Sequence, residues 1–269
     1  MVAIKQKKYF NEYLKILTKG LVNCLVCKSK GGLGKTFTTI NFLEEQKIDY
    51  EYNSGVTTAV ALYKMLYDFK DKIIVLDDIE TLFQDDRAIT LLKSALWSVN
   101  KKRIVSYKTS SKALEGYPES FEFNGQLIIL VNELRAKNDQ STQALLSRCL
   151  VFELKYSTKE MKILSEEIIE QQKDLTTKQK DLTKKIIEES ITKEHDYNFR
   201  ILDRLITFVK HDENIAKELF INSMPRDETI TAFYETQHDN IKKHIEDFID
   251  LTGTSRATFY RIKKRIEND

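Results

Sequence analysis

A glycine-rich segment near the amino terminus contains the residue types that bind phosphate groups. It lies between an apolar run at 21–27 and a helical pattern at 36–46, and it reads Ser29-Lys30-Gly31-Gly32-Leu33-Gly34-Lys35-Thr36. The phosphate-binding loop G-x-x-x-x-G-K-[ST] has this spacing and this strand–loop–helix context, although Ser29 stands where that pattern has its first glycine. Backbone N–H groups and the helix amino terminus would then face the phosphates, with Lys35 on the β- and γ-phosphates and the Thr36 hydroxyl on Mg²⁺. The sequence therefore predicts ATP and Mg²⁺ bound along 29–37, a segment that ends at Phe37.

Two carboxylates follow the next strongly apolar run, at 72–76. A buried parallel strand that ends in this way delivers its carboxylates to the crevice where ligands bind. We expect Asp77 to bind Mg²⁺ and Asp78 to activate the attacking water. Glutamate is more usual at the second position, and Glu80 remains the alternative.

Polar residues also flank the last two apolar runs of the first half. The run at 127–131 ends at Asn132, whose amide we expect to hold the attacking water beside the γ-phosphate. The run at 150–154 is preceded by Ser147-Arg148-Cys149, at the end of a helical pattern at 140–147.

The order of these motifs resembles that of AAA+ ATPases: the phosphate loop comes first, then Asp77-Asp78, Asn132 and Ser147-Arg148-Cys149. The Ser-Arg-Cys triplet is similar to the one in clamp-loader subunits. The resemblance implies that Arg148 is a finger inserted into the nucleotide site of a neighbouring subunit. It also implies an ATP-dependent homo-oligomeric ring or arc, with a hexamer as one form. The segment 198–202 resembles the start of the AAA+ lid helix, and Arg200 matches its γ-phosphate-sensing arginine; Arg204, one turn on, is the other choice.

The arrangement of segments predicts an α/β fold with a three-layer core around a parallel sheet. Apolar runs alternate with helical patterns up to about residue 154, with a weaker strand at 48–52 and a hairpin formed by 103–108 and 120–123. Helical patterns alone follow. We expect an AAA+ nucleotide-binding core at 1–154, a helical lid at 155–236 and a helix-turn-helix-like segment at 237–269. Trp97 is expected on the apolar face of a helix at 88–99.

The last thirty residues have the pattern of a DNA-binding helix pair. An amphipathic helix from Ile241 is broken at Thr252-Gly253, and a second helix carries five Lys or Arg and no acidic residue between 256 and 265. The amino-acid sequence of 252–261 resembles helix-turn-helix segments of DNA-associated proteins. Arginines there would reach bases or phosphates, and lysines phosphates. The residues expected to bind DNA are Ser255, Arg256, Thr258, Tyr260, Arg261, Lys264 and Arg265.

Composition excludes several other classes and leaves three functional hypotheses. The chain has 269 residues and a net charge of +2, with no apolar run of about 18 residues that would span a membrane. Its three cysteines cannot form a disulfide framework, so we expect a cytoplasmic protein, and the basic last helix indicates that it associates with DNA. The main hypothesis is an ATPase acting with DNA in replication or mobilisation of a virus, plasmid or transposon, as initiator, helicase or helicase loader, with replication or transposition proteins as partners. A partition ATPase of the ParA/MinD type is the first alternative, since Lys30 matches its signature lysine. A nucleotide-switched DNA-binding regulator with little turnover is the second.

Overall fold

The computed structural model describes residues 5–55, 58–108, 112–132, 140–190, 197–223, 233, 236–238, 240–253 and 255–267, without the side chains of 80, 189, 190 and 265–267. The chain divides into two compact units, Met1–Glu160 and Met161–Asp269. The finer division into core, lid and terminal segment remains a prediction.

A five-stranded parallel sheet forms the centre of the first unit. Its order is β2-β3-β6-β1-β7, and every neighbouring pair is parallel. The central strands are covered on both faces, which is why their sequences are almost continuously apolar. The strands of this sheet are β1 (Cys24–Lys28), β2 (Tyr50–Ser54), β3 (Ile73–Asp77), β6 (Gln126–Val131) and β7 (Leu150–Glu153).

Helices cover both faces of this sheet, as the alternating pattern predicts. One face packs against α1 (Lys5–Thr18) and α2 (Lys35–Glu45). The other packs against α3 (Ala59–Asp68), α4 (Asp86–Leu96) and α5 (Gln140–Leu146). Between β3 and α4 a short 3₁₀ helix, Glu80–Gln84, contributes Leu82 and Phe83 to the second core. The first unit is therefore a three-layer α/β structure.

The prediction for Trp97 is wrong. Helix α4 ends at Leu96, and Trp97 has extended backbone angles, φ −100° and ψ 127°. Because the chain leaves the helix there, the indole turns away from the core and is 58% exposed.

The predicted hairpin is present as a separate two-stranded sheet. Strand β4 (Ile104–Ser106) pairs antiparallel with β5 (Ser120–Glu122), with Val105 opposite Phe121. Both of these residues are buried in the same core as α3 and α4.

The second unit is helical wherever the structure describes regular elements in it. Helix α6 (Thr158–Gln171) begins in the first unit and continues into the second, where α7 (Thr177–Ser190), α8 (Phe199–His211) and α9 (Ala216–Ser223) follow. Their apolar faces share one core, centred on α8. No helix among the described residues is long and apolar enough to cross a membrane.

Two further helices close the described chain. Helix α10 (Ile241–Thr252) ends at Gly253, whose φ of 65° lies in the left-handed region that glycine adopts most readily. The next helix is α11 (Arg256–Glu267). The two helices enclose a small apolar cluster made of Phe233, Ile245, Phe248, Phe259 and Ile262.

Candidate functional site

The glycine-rich loop has the backbone shape of an anion cradle. Gly32 and Gly34 have φ of 76° and 79°, a conformation that strains residues with a side chain. Gly34 caps α2 without offering a side-chain acceptor, so the helix begins directly at Lys35. The positive end of a helix and inward-facing N–H groups are suited to phosphate.

Ser29 fits where the motif has its first glycine. It is 3% exposed, its N–H donates to Val131 O at 3.1 Å, and its hydroxyl donates to Lys30 O at 2.9 Å. The hydroxyl is thus satisfied within the loop. Among the other predicted ligands, Lys30 is exposed, Leu33 packs partly against the core beside α2, and Phe37 is 68% exposed on the first turn of that helix.

A chain of hydrogen bonds joins the loop to the ends of two strands. Lys35 is 6% exposed, and its Nζ donates to Asn132 Oδ1 at 2.6 Å. Asn132 Nδ2 in turn donates to Asp78 Oδ1 at 2.9 Å. The structure therefore brings together three of the residues predicted to be catalytic.

A second group lies around Asp77. Its Oδ2 accepts hydrogen bonds from Thr36 Oγ1 at 2.7 Å and from the Tyr52 hydroxyl at 3.0 Å. Asp77 is 5% exposed. Burial and the neighbouring Asp77 raise the pKa of Tyr52, so its hydroxyl keeps the proton that it donates.

Sequence reasoning missed Tyr52. It lies on β2, which was expected only as a weak strand at 48–52, and its side chain reaches Asp77 because Ser54 pairs with Asp77 across the sheet. The signal in the sequence is an aromatic residue two positions before the end of β2, the strand next to β3. It identifies a partner for Asp77 only when the register of the two strands is known.

Asp78 has a backbone conformation that is uncommon for a residue with a side chain. Its φ is 53°, and its N–H donates to Leu130 O at 3.1 Å. Such left-handed residues are concentrated at functional sites, where the surrounding structure holds them. The Asp78 carboxylate is exposed next to Asn132, whereas the side chain of the alternative, Glu80, lies outside the described part of the structure.

Strand register explains why these groups meet. Lys28 is opposite Val131, and Asp77 is opposite Leu130. The loop after β1, Asp77-Asp78 and Asn132 consequently lie at the carboxyl ends of three adjacent parallel strands, which is where α/β sheets bind ligands.

The donors at this edge fit a nucleoside triphosphate with a magnesium ion. Thr36 and Asp77 supply the hydroxyl and carboxylate oxygens that Mg²⁺ prefers. Lys35 supplies a buried ammonium group, and the left-handed glycines supply the turn that cradles phosphate. These residues could bind ATP and order a water molecule near Asp78.

Arg148 lies at the opposite ends of the same strands. Leu150, two residues on, pairs with Leu25 at the start of β1, whereas the phosphate loop follows Lys28. At roughly 3.3 Å per residue, about 10 Å of strand separates the level of Leu150 from that of Lys28, and Arg148 precedes Leu150 by two residues. Its guanidinium donates to Ala144 O and lies over the Trp97 ring, 5.1 Å from the centroid.

Arg200 and Arg204, both on α8, have different surroundings within the second unit. Arg204 Nη1 donates to Ser223 O at 2.7 Å and so connects α8 to the end of α9. Arg200 is exposed on the first turn of α8, where its N–H donates to the capping side chain of Asn198 at 3.0 Å. The role of Arg200 at the nucleotide remains a prediction.

The terminal helix pair exposes most of the residues predicted to bind DNA. Arg256, Tyr260, Arg261 and Lys264 are exposed on α11, and the Arg256 guanidinium lies 5.8 Å from the Tyr260 ring centroid. Ser255 accepts a hydrogen bond from Thr258 N at 3.3 Å and so caps the helix. The side chain of Arg265 lies outside the described part of the structure.

Comparison with known proteins places the fold. A scan of protein-family models and a search of curated sequences give no match. Among solved structures, a point mutant of RuvB from Thermotoga maritima has a TM-score of 0.55 at 13% identity, covering 94% of this chain and 82% of that chain. A DNA replication initiation factor has a TM-score of 0.50 at 14% identity, covering 95% and 81%. With the all-parallel sheet, these likenesses show an α/β P-loop NTPase fold, as the sequence predicts.

Proposed function

We propose that the chain is an ATP-hydrolysing AAA+ ATPase that acts on DNA as a homo-oligomer. The observation that carries the proposal is the joint placement of Lys35, Asn132 and Asp78 beside Thr36 and Asp77. A strand edge with only a structural role does not require a buried ammonium group and two carboxylates around one loop.

The chemistry follows from the positions of these side chains. Lys35 stabilises negative charge on the phosphates, and the loop N–H groups hold them. Asn132 and Asp78 orient a water molecule, whose oxygen forms a bond to the γ-phosphorus as the bond to the ADP oxygen breaks; Asp78 accepts the proton. Magnesium held by Thr36 and Asp77 would neutralise phosphate charge when bound.

Arg148 supports the oligomeric part of the proposal. Since it lies before the amino end of β7, with about 10 Å of strand between Leu150 and the level of Lys28, it is badly placed for the nucleotide of its own subunit. A neighbouring copy that brings its amino-end face to this carboxyl edge would insert its Arg148 there as a finger, in a ring or arc. Arg200, on the exposed first turn of α8, would sense the γ-phosphate and couple hydrolysis to movement of the lid.

The terminal helices support the DNA part. The exposed cations of α11 alternate with buried apolar residues, so one face packs while the other can meet phosphates and bases. Two of the similar solved structures are named as RuvB and as a DNA replication initiation factor. We assign the chain to the replication or mobilisation of viral, plasmid or transposon DNA, as an initiator, helicase or helicase loader.

A nucleotide-switched DNA-binding regulator is the second candidate, because the same site would bind ATP without requiring turnover. ATP hydrolysis by the full chain, with and without double- and single-stranded DNA, separates the two functions. We expect turnover that increases with DNA, and its loss in Lys35→Ala. ATP binding without turnover under every condition would favour the regulator, and absence of both would reject the proposal.

A further inference from the structure

Arg148 is held by an aromatic ring as well as by backbone. Its guanidinium carbon lies 5.1 Å from the Trp97 ring centroid, and Nη1 donates to Ala144 O one turn earlier in the chain. The Nε atom is buried and has no hydrogen-bond partner among the residues that the structure describes. The contact with the Trp97 ring is therefore a second attraction, besides the hydrogen bond to Ala144, that holds the guanidinium.

Trp97 lies in an exposed apolar surface. The indole is 58% exposed, and Val99, two residues later, is 65% exposed. Leu21 is 70% exposed, and its segment meets the end of α4, where Asn23 Nδ2 donates to the carbonyl of Leu96 at 3.2 Å. Exposed apolar patches mark surfaces that contact other proteins, and Trp and Arg are the side chains most enriched at the centres of such contacts.

The charge of this patch indicates its occupant. It presents the Arg148 guanidinium over the Trp97 ring, with the exposed Leu21 and Val99 on the adjoining segments, at the amino ends of the strands. The carboxyl edge of the same sheet binds the phosphates of ATP in the proposed function. The patch is thus complementary to the nucleotide-bearing edge of a second copy of this chain, and not to its own.

We propose that Trp97 is the positioning residue for Arg148, and that Leu21, Trp97 and Val99 contact the neighbouring copy into whose nucleotide site Arg148 is inserted. This inference rests on the proposed function, because it requires Arg148 to act in trans. A guanidinium held over an indole ring loses rotational freedom before assembly, so less of that freedom is lost when it meets the phosphates. Small misplacement of a catalytic group costs large factors in rate.

Trp97→Ala removes the ring and leaves the ATP site of the same subunit untouched. We expect kcat to fall roughly 10–100-fold, with KM for ATP within about twofold of the unchanged chain. Trp97→Phe keeps an aromatic face and is expected to recover most of the activity. Because Trp97 is largely exposed, both variants should fold, which a thermal melt checks.

Mixing distinguishes positioning from general damage. Trp97→Ala subunits have an intact phosphate loop, whereas Lys35→Ala subunits have an intact Trp97–Arg148 pair. Activity that appears on mixing the two supports the inference. Full activity of Trp97→Ala alone, together with an inactive Arg148→Ala, overturns it while leaving the trans finger in place; full activity of Arg148→Ala rejects the finger itself.

Fluorescence reports the stack without relying on turnover. Trp97 is the single tryptophan of the chain, so its emission reports this patch alone. Arg148→Ala should change the emission of the nucleotide-free protein, and assembly with a non-hydrolysable ATP analogue should shift emission in the unchanged chain. Identical emission with and without the Arg148 guanidinium would overturn the stacked arrangement.

Discussion

Replacing Tyr52 by phenylalanine removes one hydroxyl group next to the proposed magnesium ligand. That hydroxyl donates to Asp77 Oδ2 at 3.0 Å, the same oxygen that accepts from Thr36 Oγ1 at 2.7 Å. The substitution leaves the ring, the strand and Thr36 in place. It therefore tests whether Tyr52 fixes the orientation of the buried carboxylate.

The size of the effect follows from the burial of the two partners. Hydrogen bonds to charged groups contribute about 1.5–3 kcal/mol. Tyr52 is 41% exposed, so water can replace its hydroxyl, and we expect a loss of about 1.5 kcal/mol in the free energy of unfolding. For a unit of this size, the corresponding fall in Tm is roughly 3–6 °C. Loss of an outer partner of a metal ligand also weakens metal affinity by about tenfold or more.

Tyr50→Phe is the matched control. Tyr50 is on the same strand, and its hydroxyl meets the exposed Glu44 carboxylate at 3.3 Å, away from Asp77. We expect its stability to change by less than about 0.5 kcal/mol. The assay is the thermal melt of each full-length variant at fixed ATP while Mg²⁺ is titrated. Equal melts and equal Mg²⁺ midpoints for Tyr52→Phe and the unchanged chain, or an equal loss in Tyr50→Phe, would show that Tyr52 does not position Asp77.

Two further predictions concern the reaction and the DNA surface. Asp78→Asn keeps the shape of the side chain at a left-handed position that asparagine tolerates, so ATP affinity should remain while kcat falls roughly 10²–10⁴-fold. Parallel measurements of ATP binding and hydrolysis check this, and an unchanged kcat would show that another carboxylate is the base. Removing two exposed cations of α11 by Arg256→Ala and Arg261→Ala should weaken DNA binding and lower the slope of log affinity against log salt by about two. The control removes the same charge from α10 through Lys242→Ala and Lys243→Ala. Equal losses of DNA affinity and equal salt slopes in the two double variants would argue against α11 as the helix that contacts DNA.

The sheet edge that carries the proposed phosphate site could be predicted because the strands that end there are buried on both faces. Such strands are read directly as apolar runs, and the first polar residue after each run marks the carboxyl edge of the sheet. Asn132 was assigned in this way, and its amide lies 2.6 Å from Lys35. This prediction required only that the ends of parallel strands are adjacent; it did not require the positions of individual side chains.

Tyr52 and Trp97 show where that reasoning stops. Tyr52 contacts Asp77 through the register of two neighbouring strands, which sequence spacing does not determine. Trp97 was assigned to a helix that ends one residue earlier, so a small difference at a helix end moved the indole from the core to the surface. Helix ends depend on local backbone angles and are the part of a helix that periodicity defines least.

Mixing Arg148→Ala with Lys35→Ala tests most directly whether this chain is an ATPase whose sites are shared between copies. Each variant alone should hydrolyse ATP at least about 10³-fold more slowly than the unchanged chain, since one lacks the finger and the other lacks the phosphate lysine. The mixture should recover measurable turnover, because an Arg148→Ala subunit with an intact loop can receive the finger of a Lys35→Ala neighbour. Turnover equal to the sum of the separate variants, or full activity of Arg148→Ala by itself, would contradict a shared site.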